Sequence, residues 1–145
     1  DLQPEMNAPL VTDQVCEAVE SEKYDFILIN YANCDMVGHS GKLEAAIKAV
    51  EAVDASVYRL WESARGRGYS MLLTSDHGNA EEMWDPETNG PHTAHTTNLV
   101  PIALLSDKPV GRLRDGRLAD IAPTVLELMA LSKPAEMTGE SLLLR

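Results

Sequence analysis

The four histidines of the chain, His39, His77, His92 and His95, all fall in two polar stretches, and two of them stand close behind an aspartate. Asp35 precedes His39 by four residues, with Gly38 between them to let the chain turn, and Asp76 directly precedes His77, with Gly78 following. Carboxylate oxygen and imidazole nitrogen together suit Mn²⁺, Zn²⁺ or Fe²⁺ better than the all-oxygen cage of Ca²⁺. Taken alone, Asp-x-x-x-His is most often a surface pair or a helix cap, and Asp-His-Gly is most often a turn. The two patterns together, each directly after a β-rich apolar run, point to a metal. His95 is expected to be a further ligand, and His92 to face solvent or stand behind the ligands. Cys34 adjoins Asp35, but the partner cysteines of a zinc–thiolate site are absent.

The elements that must position these residues follow from the apolar pattern. Val11, Val15, Ala18 and Val19 recur at helical spacing, and Pro9 suits a first turn, so a helix is expected from about Asn7–Pro9 to Glu22. Tyr24-Asp25-Phe26-Ile27-Leu28-Ile29-Asn30 is short, continuous and β-rich, as in a strand buried on both faces of a parallel sheet. A polar loop from Asn30 to Gly41 follows. Leu43, Ile47, Val50, Val53, Val57, Leu60 and Ala64 mark a long amphipathic helix ended by Gly66 and Gly68, with Arg65 in its last turn. Tyr69–Thr74 is a second strand, which would complete a right-handed strand–helix–strand crossover.

A loop of more than 20 residues, Ser75 to Asn98, leads to a third strand over Leu99–Leu105; loops of that length are usually functional. Asp115-Gly116 reads as a turn. Asp120 can cap a last helix through Leu131, with Pro123 in its first turn and Leu118, Ile121, Val125 and Leu128 facing inward. The alternation implies an α/β domain: a mostly parallel sheet flanked by helices in three layers. Ligands gather at the carboxyl ends of strands in such sheets. Asp35 and His39 follow the first strand, Asp76 and His77 the second, and His95 reaches the same edge. All five are therefore expected at one edge of the sheet. Only three residues separate His95 from Leu99, so the third strand should run antiparallel to Phe26–Ile29 and Met71–Thr74.

Composition narrows the function classes. The 145 residues are about one domain, and 23 acidic against 12 basic residues give a net charge of −11, which disfavours nucleic acid and anionic membranes as partners. No apolar run approaches the ~20 residues of a membrane span. Two cysteines, Cys16 and Cys34, make no disulfide framework and fit reduced thiols in the cytoplasm. The chain opens on Asp1 rather than Met and is expected to be a piece of a longer protein.

Three stretches carry a resemblance: Asn30-Tyr31-Ala32-Asn33-Cys34-Asp35-Met36-Val37-Gly38-His39-Ser40-Gly41, Thr74-Ser75-Asp76-His77-Gly78-Asn79-Ala80-Glu81 and Thr93-Ala94-His95-Thr96-Thr97-Asn98-Leu99-Val100-Pro101. Each is similar to a signature of the cofactor-independent phosphoglycerate mutases, of the alkaline phosphatase superfamily. The opening Asp1–Met6 and the closing Glu136–Leu142 match as well, so the resemblance runs in order along nearly the whole chain.

The resemblance implies an alkaline-phosphatase-like fold, incomplete here, and interconversion of 3-phosphoglycerate and 2-phosphoglycerate through a phosphoserine at a two-metal site, without a bisphosphate cofactor. It places Asp35, His39 and His95 on one divalent ion and Asp76 and His77 on the other. The ions are commonly Mn²⁺, with Mg²⁺, Zn²⁺ or Co²⁺ as alternatives. In the family the serine nucleophile, the other ligands, the substrate-clamping residues and an inserted transferase domain lie upstream. The chain thus resembles the C-terminal portion of the phosphatase domain, expected to be inactive alone, and the missing portions would be its partners. Ser40 and Ser75 do not match the nucleophile, and Cys34 stands where the family usually has proline. Two alternatives differ in outcome: a metal-dependent phosphomonoesterase of the same superfamily, in which water takes the phosphoryl group, and a stand-alone, non-catalytic metal-binding module.

Overall fold

A computed structural model describes residues 3–144, so Asp1 and Leu2 of the opening motif lie outside the described residues. The first helix, α1, spans Ala8–Glu20 with Pro9 in its first turn, close to the expected span. It buries Ala8, Thr12 and Val19 along one face and packs against the long helix α3, Leu43–Ala64. That helix offers mostly small side chains there (Ala45, Ala46, Ala49, Ser56 and Ala64 are buried), which lets the neighbouring backbones approach closely. Thr12, fully buried, donates its hydroxyl to the Ala8 carbonyl at 2.7 Å and shares a 2.7 Å hydrogen bond with the Tyr31 hydroxyl. An ion pair from Arg59 to Asp13 at 2.6 Å fastens the exposed rim of the helix pair. At its end α3 stops at Arg65, the C-cap, which pairs with Glu62 at 2.8 Å. Gly66 follows at φ +77°, a left-handed turn that costs glycine little.

Two expectations about the first half are corrected. The loop expected over 30–41 contains a six-residue helix, α2, Asn33–Gly38, seated on α3 through Val37, Ala45 and Ala49. The strand expected over 24–30 forms no ladder. Residues 26–31 are neither helix nor strand, and Tyr24, Phe26 and Leu28 are 53%, 54% and 82% exposed. A strand is held by a ladder of backbone hydrogen bonds to its neighbours, and the described residues offer this segment only the Tyr69 hydroxyl, which donates to the Tyr24 carbonyl at 2.5 Å. The parallel crossover is accordingly not formed.

The central pairing is antiparallel instead. Strand β1, Met71–Thr74, lies against β4, Ile102–Leu105, in the register Met71↔Leu105 to Thr74↔Ile102. The third strand thus reverses against the second, as its distance from His95 requires. The long loop between them is not structureless. It holds a small antiparallel hairpin, β2 (Trp84–Asp85) with β3 (Gly90–Pro91), and a single bridge joins Gly78 to Thr96. The class is mixed α/β, with short strands and without parallel layering among the described residues.

The C-terminal part closes on itself. Strand β5, Arg112–Leu113, pairs antiparallel with β6, Leu143–Leu144, and Arg114 N–H donates to the Leu142 carbonyl at 2.9 Å. Between them a short 3₁₀ turn, Leu118–Asp120, runs into α4, Ile121–Leu128, which stops short of Leu131. The buried Asp120 carboxylate accepts the backbone N–H of Arg117 at 3.0 Å and of Glu140 at 2.8 Å, capping the turn and tying in the tail. Residues 115–116 run without a turn, and Leu118, expected inward, is 50% exposed. Leu142 is 1% exposed, worth about 1.5–3 kcal/mol for a side chain of its size. No helix among the described residues is long and apolar enough to cross a membrane.

Candidate metal centre

Asp35 and His39 stand one helical turn apart, on α2 and its C-cap, so both side chains leave the same face. Asp35 Oδ1 lies 3.2 Å from His39 Nε2. His95 arrives from the far side of the chain, held by the Gly78–Thr96 bridge one residue later, in which Thr96 N–H donates to the Gly78 carbonyl at 3.0 Å. Its Nε2 is 2.9 Å from Asp35 Oδ1 and 3.2 Å from His39 Nε2. The structure therefore brings Asp35, His39 and His95 to one point, with the three donor atoms within 4.8 Å of one another.

His39 Nδ1 sits 2.6 Å from the Thr93 carbonyl. A carbonyl can only accept, so Nδ1 carries the proton and Nε2 turns a lone pair toward Asp35. Two acceptors that close favour a cation between them. The Asp35 side chain is 32% exposed, and its partial burial works against ionisation. Hydrogen bonds, from Asn79 first and then His95, outweigh that and hold its carboxyl below the usual carboxylate range.

A family model described as the metalloenzyme superfamily matches residues 1–133. The chain belongs to that superfamily. Over 143 residues this metalloenzyme chain is 58% identical to the 2,3-bisphosphoglycerate-independent phosphoglycerate mutase of Rhodopseudomonas palustris and 59% identical to that of Ruegeria pomeroyi. Each match covers 99% of the chain and 28% of the relative, so the chain spans little more than a quarter of these curated relatives. Among solved structures it is similar to the phosphoglycerate mutase of Leishmania mexicana, determined at low cobalt concentration. The TM-score is 0.89 and the identity 31%, over 98% of this chain and 29% of that one.

The donor set of the superfamily chain suits a divalent ion. Ligands ~2.0–2.2 Å from a common ion lie about 2.8–3.6 Å apart at octahedral to tetrahedral angles, and the three donor separations here, 2.9, 3.2 and 3.2 Å, fall within that spacing. His77 stands beside the same group: its ring stacks on His95 with centroids 3.8 Å apart, and its Nε2 is 3.9 Å from Asp35 Oδ1. Asp76 lines the cavity beside the cluster, 72% exposed and 3.7 Å from His77 Nε2, and Asp76 and His77 do not make a second three-donor group among the described residues. His92 stays outside the cluster, with a buried Nδ1 that has no hydrogen-bond partner. Burial pushes the Cys34 thiol up, so it stays protonated rather than becoming a thiolate ligand.

Two residues of the site escape the spacing argument. Asn79, 4% exposed, donates from Nδ2 to Asp35 Oδ1 at 3.1 Å. Glu81 fastens the loop that carries His95. Its carboxylate accepts the Thr96 hydroxyl, the Asn98 amide at 3.0 Å and the Asn79 backbone N–H at 2.6 Å. These bonds, that of Thr96 foremost, hold the Glu81 carboxyl down to about 2. The only signal for either residue in the sequence is its place in the motif that also carries Asp76 and His77. A cavity of about 430 Å³ opens beside the cluster, with Tyr31, Asp35, His77 and Glu81 in its wall.

Proposed function

We propose that this chain is the C-terminal portion of the phosphatase domain of a cytoplasmic enzyme that interconverts 3-phosphoglycerate and 2-phosphoglycerate. The single observation that carries the reading is the convergence of Asp35, His39 and His95 in a chain 58–59% identical to 2,3-bisphosphoglycerate-independent phosphoglycerate mutases. In this reading those three residues hold one divalent ion, Asp76 and His77 contribute to a second, and Mn²⁺ is the physiological metal. Bound there, the pair of cations supplies charge neutralisation for phosphoryl transfer.

The chain's own residues do the holding. His39 keeps its proton on Nδ1 through the Thr93 carbonyl, which leaves Nε2 free to ligate. Asp35 stays ionised under the hydrogen bond from the Asn79 amide. The side chains of His39 and His95 are 43% and 49% exposed, which leaves the cluster open on one side for an anionic substrate. The serine that takes the phosphoryl group, the remaining ligands and the transferase domain belong to the part of the enzyme outside this chain. A strand of that part would pair with residues 24–30 and cover Phe26 and Leu28.

The test supplies 3-phosphoglycerate and Mn²⁺ to the full-length enzyme, with no bisphosphoglycerate. Formation of 2-phosphoglycerate, lost on chelation, is expected. Release of inorganic phosphate alone would replace this reading with that of a phosphomonoesterase. The 145-residue chain by itself should form neither product.

A further inference from the structure

Asn79 is almost wholly buried, yet its side-chain oxygen is enclosed without a hydrogen-bond partner. A stranded buried acceptor is destabilising, and turning the amide over would not rescue it, because the oxygen would then face the Asp35 carboxylate. The orientation is therefore set by Asp35: Nδ2 donates to Asp35 Oδ1 at 3.1 Å, lies 3.4 Å from the Asp35 carbonyl and comes within 3.5 Å of His39 Nε2.

The space for this amide is made by Gly38. A β-carbon there would overlap Asn79 Oδ1 and come within 2.8 Å of its Cγ. Gly38 is the last residue of α2, and its backbone is not in the left-handed region, so its own conformation does not call for glycine. An orphaned oxygen and a glycine with no backbone reason to be one thus coincide where the amide is seated against Asp35.

We infer that Asn79 is a positioning residue for Asp35: its amide, lodged against Gly38, holds the carboxylate aimed at the point where His39 and His95 meet. This rests on reading Asp35 as a metal ligand. Asn79 also follows His77 by two residues, so the same amide couples the segment that carries Asp76 and His77 to helix α2.

The test is a double-mutant cycle in the full-length enzyme, read by Co²⁺ visible absorption and Mn²⁺ calorimetry. Asn79→Ala is expected to weaken binding at one of the two metal equivalents roughly ten- to a hundred-fold, the usual cost of losing a group that orients a ligand. Gly38→Ala should do the same, because its methyl displaces the amide while every polar group remains. The double variant should bind no worse than Asn79→Ala alone, since the methyl then occupies the vacated space. Should Asn79→Ala fail to fold, Gly38→Ala alone decides. A purely structural role would lower the melting temperature of the metal-free protein and leave metal affinity and the Co²⁺ spectrum unchanged, which overturns the inference, as do additive losses in the cycle. A wild-type enzyme that forms 2-phosphoglycerate while Asn79→Ala and Gly38→Ala bind metal normally would refute Asn79 and spare the proposed function. Intact metal binding by wild type without 2-phosphoglycerate would do the reverse.

Discussion

Replacing Glu81 by glutamine changes one carboxylate oxygen to an amide nitrogen at the point where the two ligand-bearing loops are fastened. Glu81 accepts the Thr96 hydroxyl and the Asn98 amide on one oxygen and the Asn79 backbone N–H on the other. Glutamine can serve only one side; in either orientation its NH₂ meets another donor. The fall of the Glu81 carboxyl from 4.5 to about 2 would correspond to about 3 kcal/mol at 1.36 kcal/mol per pH unit. Glu81 is exposed, so solvent screening reduces this to about 1 kcal/mol. The new donor–donor contact raises the expected cost to about 1–2 kcal/mol.

That cost should appear locally, as exchange of the Thr96 amide, bonded to the Gly78 carbonyl, about 5–30 times faster in Glu81→Gln than in the parent enzyme. The sign of the pH dependence is fixed by the lowered carboxyl. The charge contributes fully above its unfolded value of 4.5 and is lost as pH falls through about 2. The gap between parent and variant should therefore be flat from pH 5 upward and shrink steadily below. Equal exchange rates at pH 7, or a gap that does not change between pH 7 and pH 3, would refute the assignment of Glu81 as the fastener.

In the full-length enzyme, His95→Ala should remove one equivalent of tightly bound Mn²⁺ in calorimetry and leave the circular dichroism unchanged; retention of both equivalents would show that His95 is not a ligand. Thr124→Val keeps the shape of the buried threonine but takes the acceptor from the Leu142 N–H, now bonded at 2.9 Å. It should cost about 1–3 kcal/mol and speed hydrogen exchange at Leu142. Cys34→Pro should be tolerated and lower the entropy of the unfolded chain, for a gain of about 0.4–1 kcal/mol. Position 34 is the second residue of α2, where the N–H has no intrahelical acceptor; a lower melting temperature would count against it.

The elements visible in the sequence are those whose signal is internal. Helix α3 carries its own apolar period over 22 residues. The reversal of β4 follows from three residues between His95 and Leu99, too few for a return crossing. The 24–30 segment misleads because an apolar run becomes a strand only through a ladder, and no described strand pairs with it. Helix α2 has six residues, under two turns, too short for periodicity to register. The β2–β3 hairpin did carry a signal, Asn89-Gly90, with Asn89 at φ +52°.

At the site, the four-residue spacing puts Asp35 and His39 on one face of α2, while the Gly78–Thr96 bridge, rather than a strand end, brings His95 to them. Spacing could not single out Asn79 and Glu81. Their side-chain partners, Asp35 for the one and Thr96 and Asn98 for the other, stand 44, 15 and 17 residues away and carry no pattern in the sequence.

Asp35 and His95 meet at 2.9 Å although sixty residues of chain separate them. An ion shared by the two is therefore also a removable cross-link around a long loop. By the chain-entropy relation used for disulfides, closing a loop of that size restricts the unfolded ensemble by about 4 kcal/mol. The metal that serves the chemistry would then set the lifetime of the fold as well, so chelation should shorten resistance to proteolysis along with activity, and the cleavages should concentrate in the loop between the two residues.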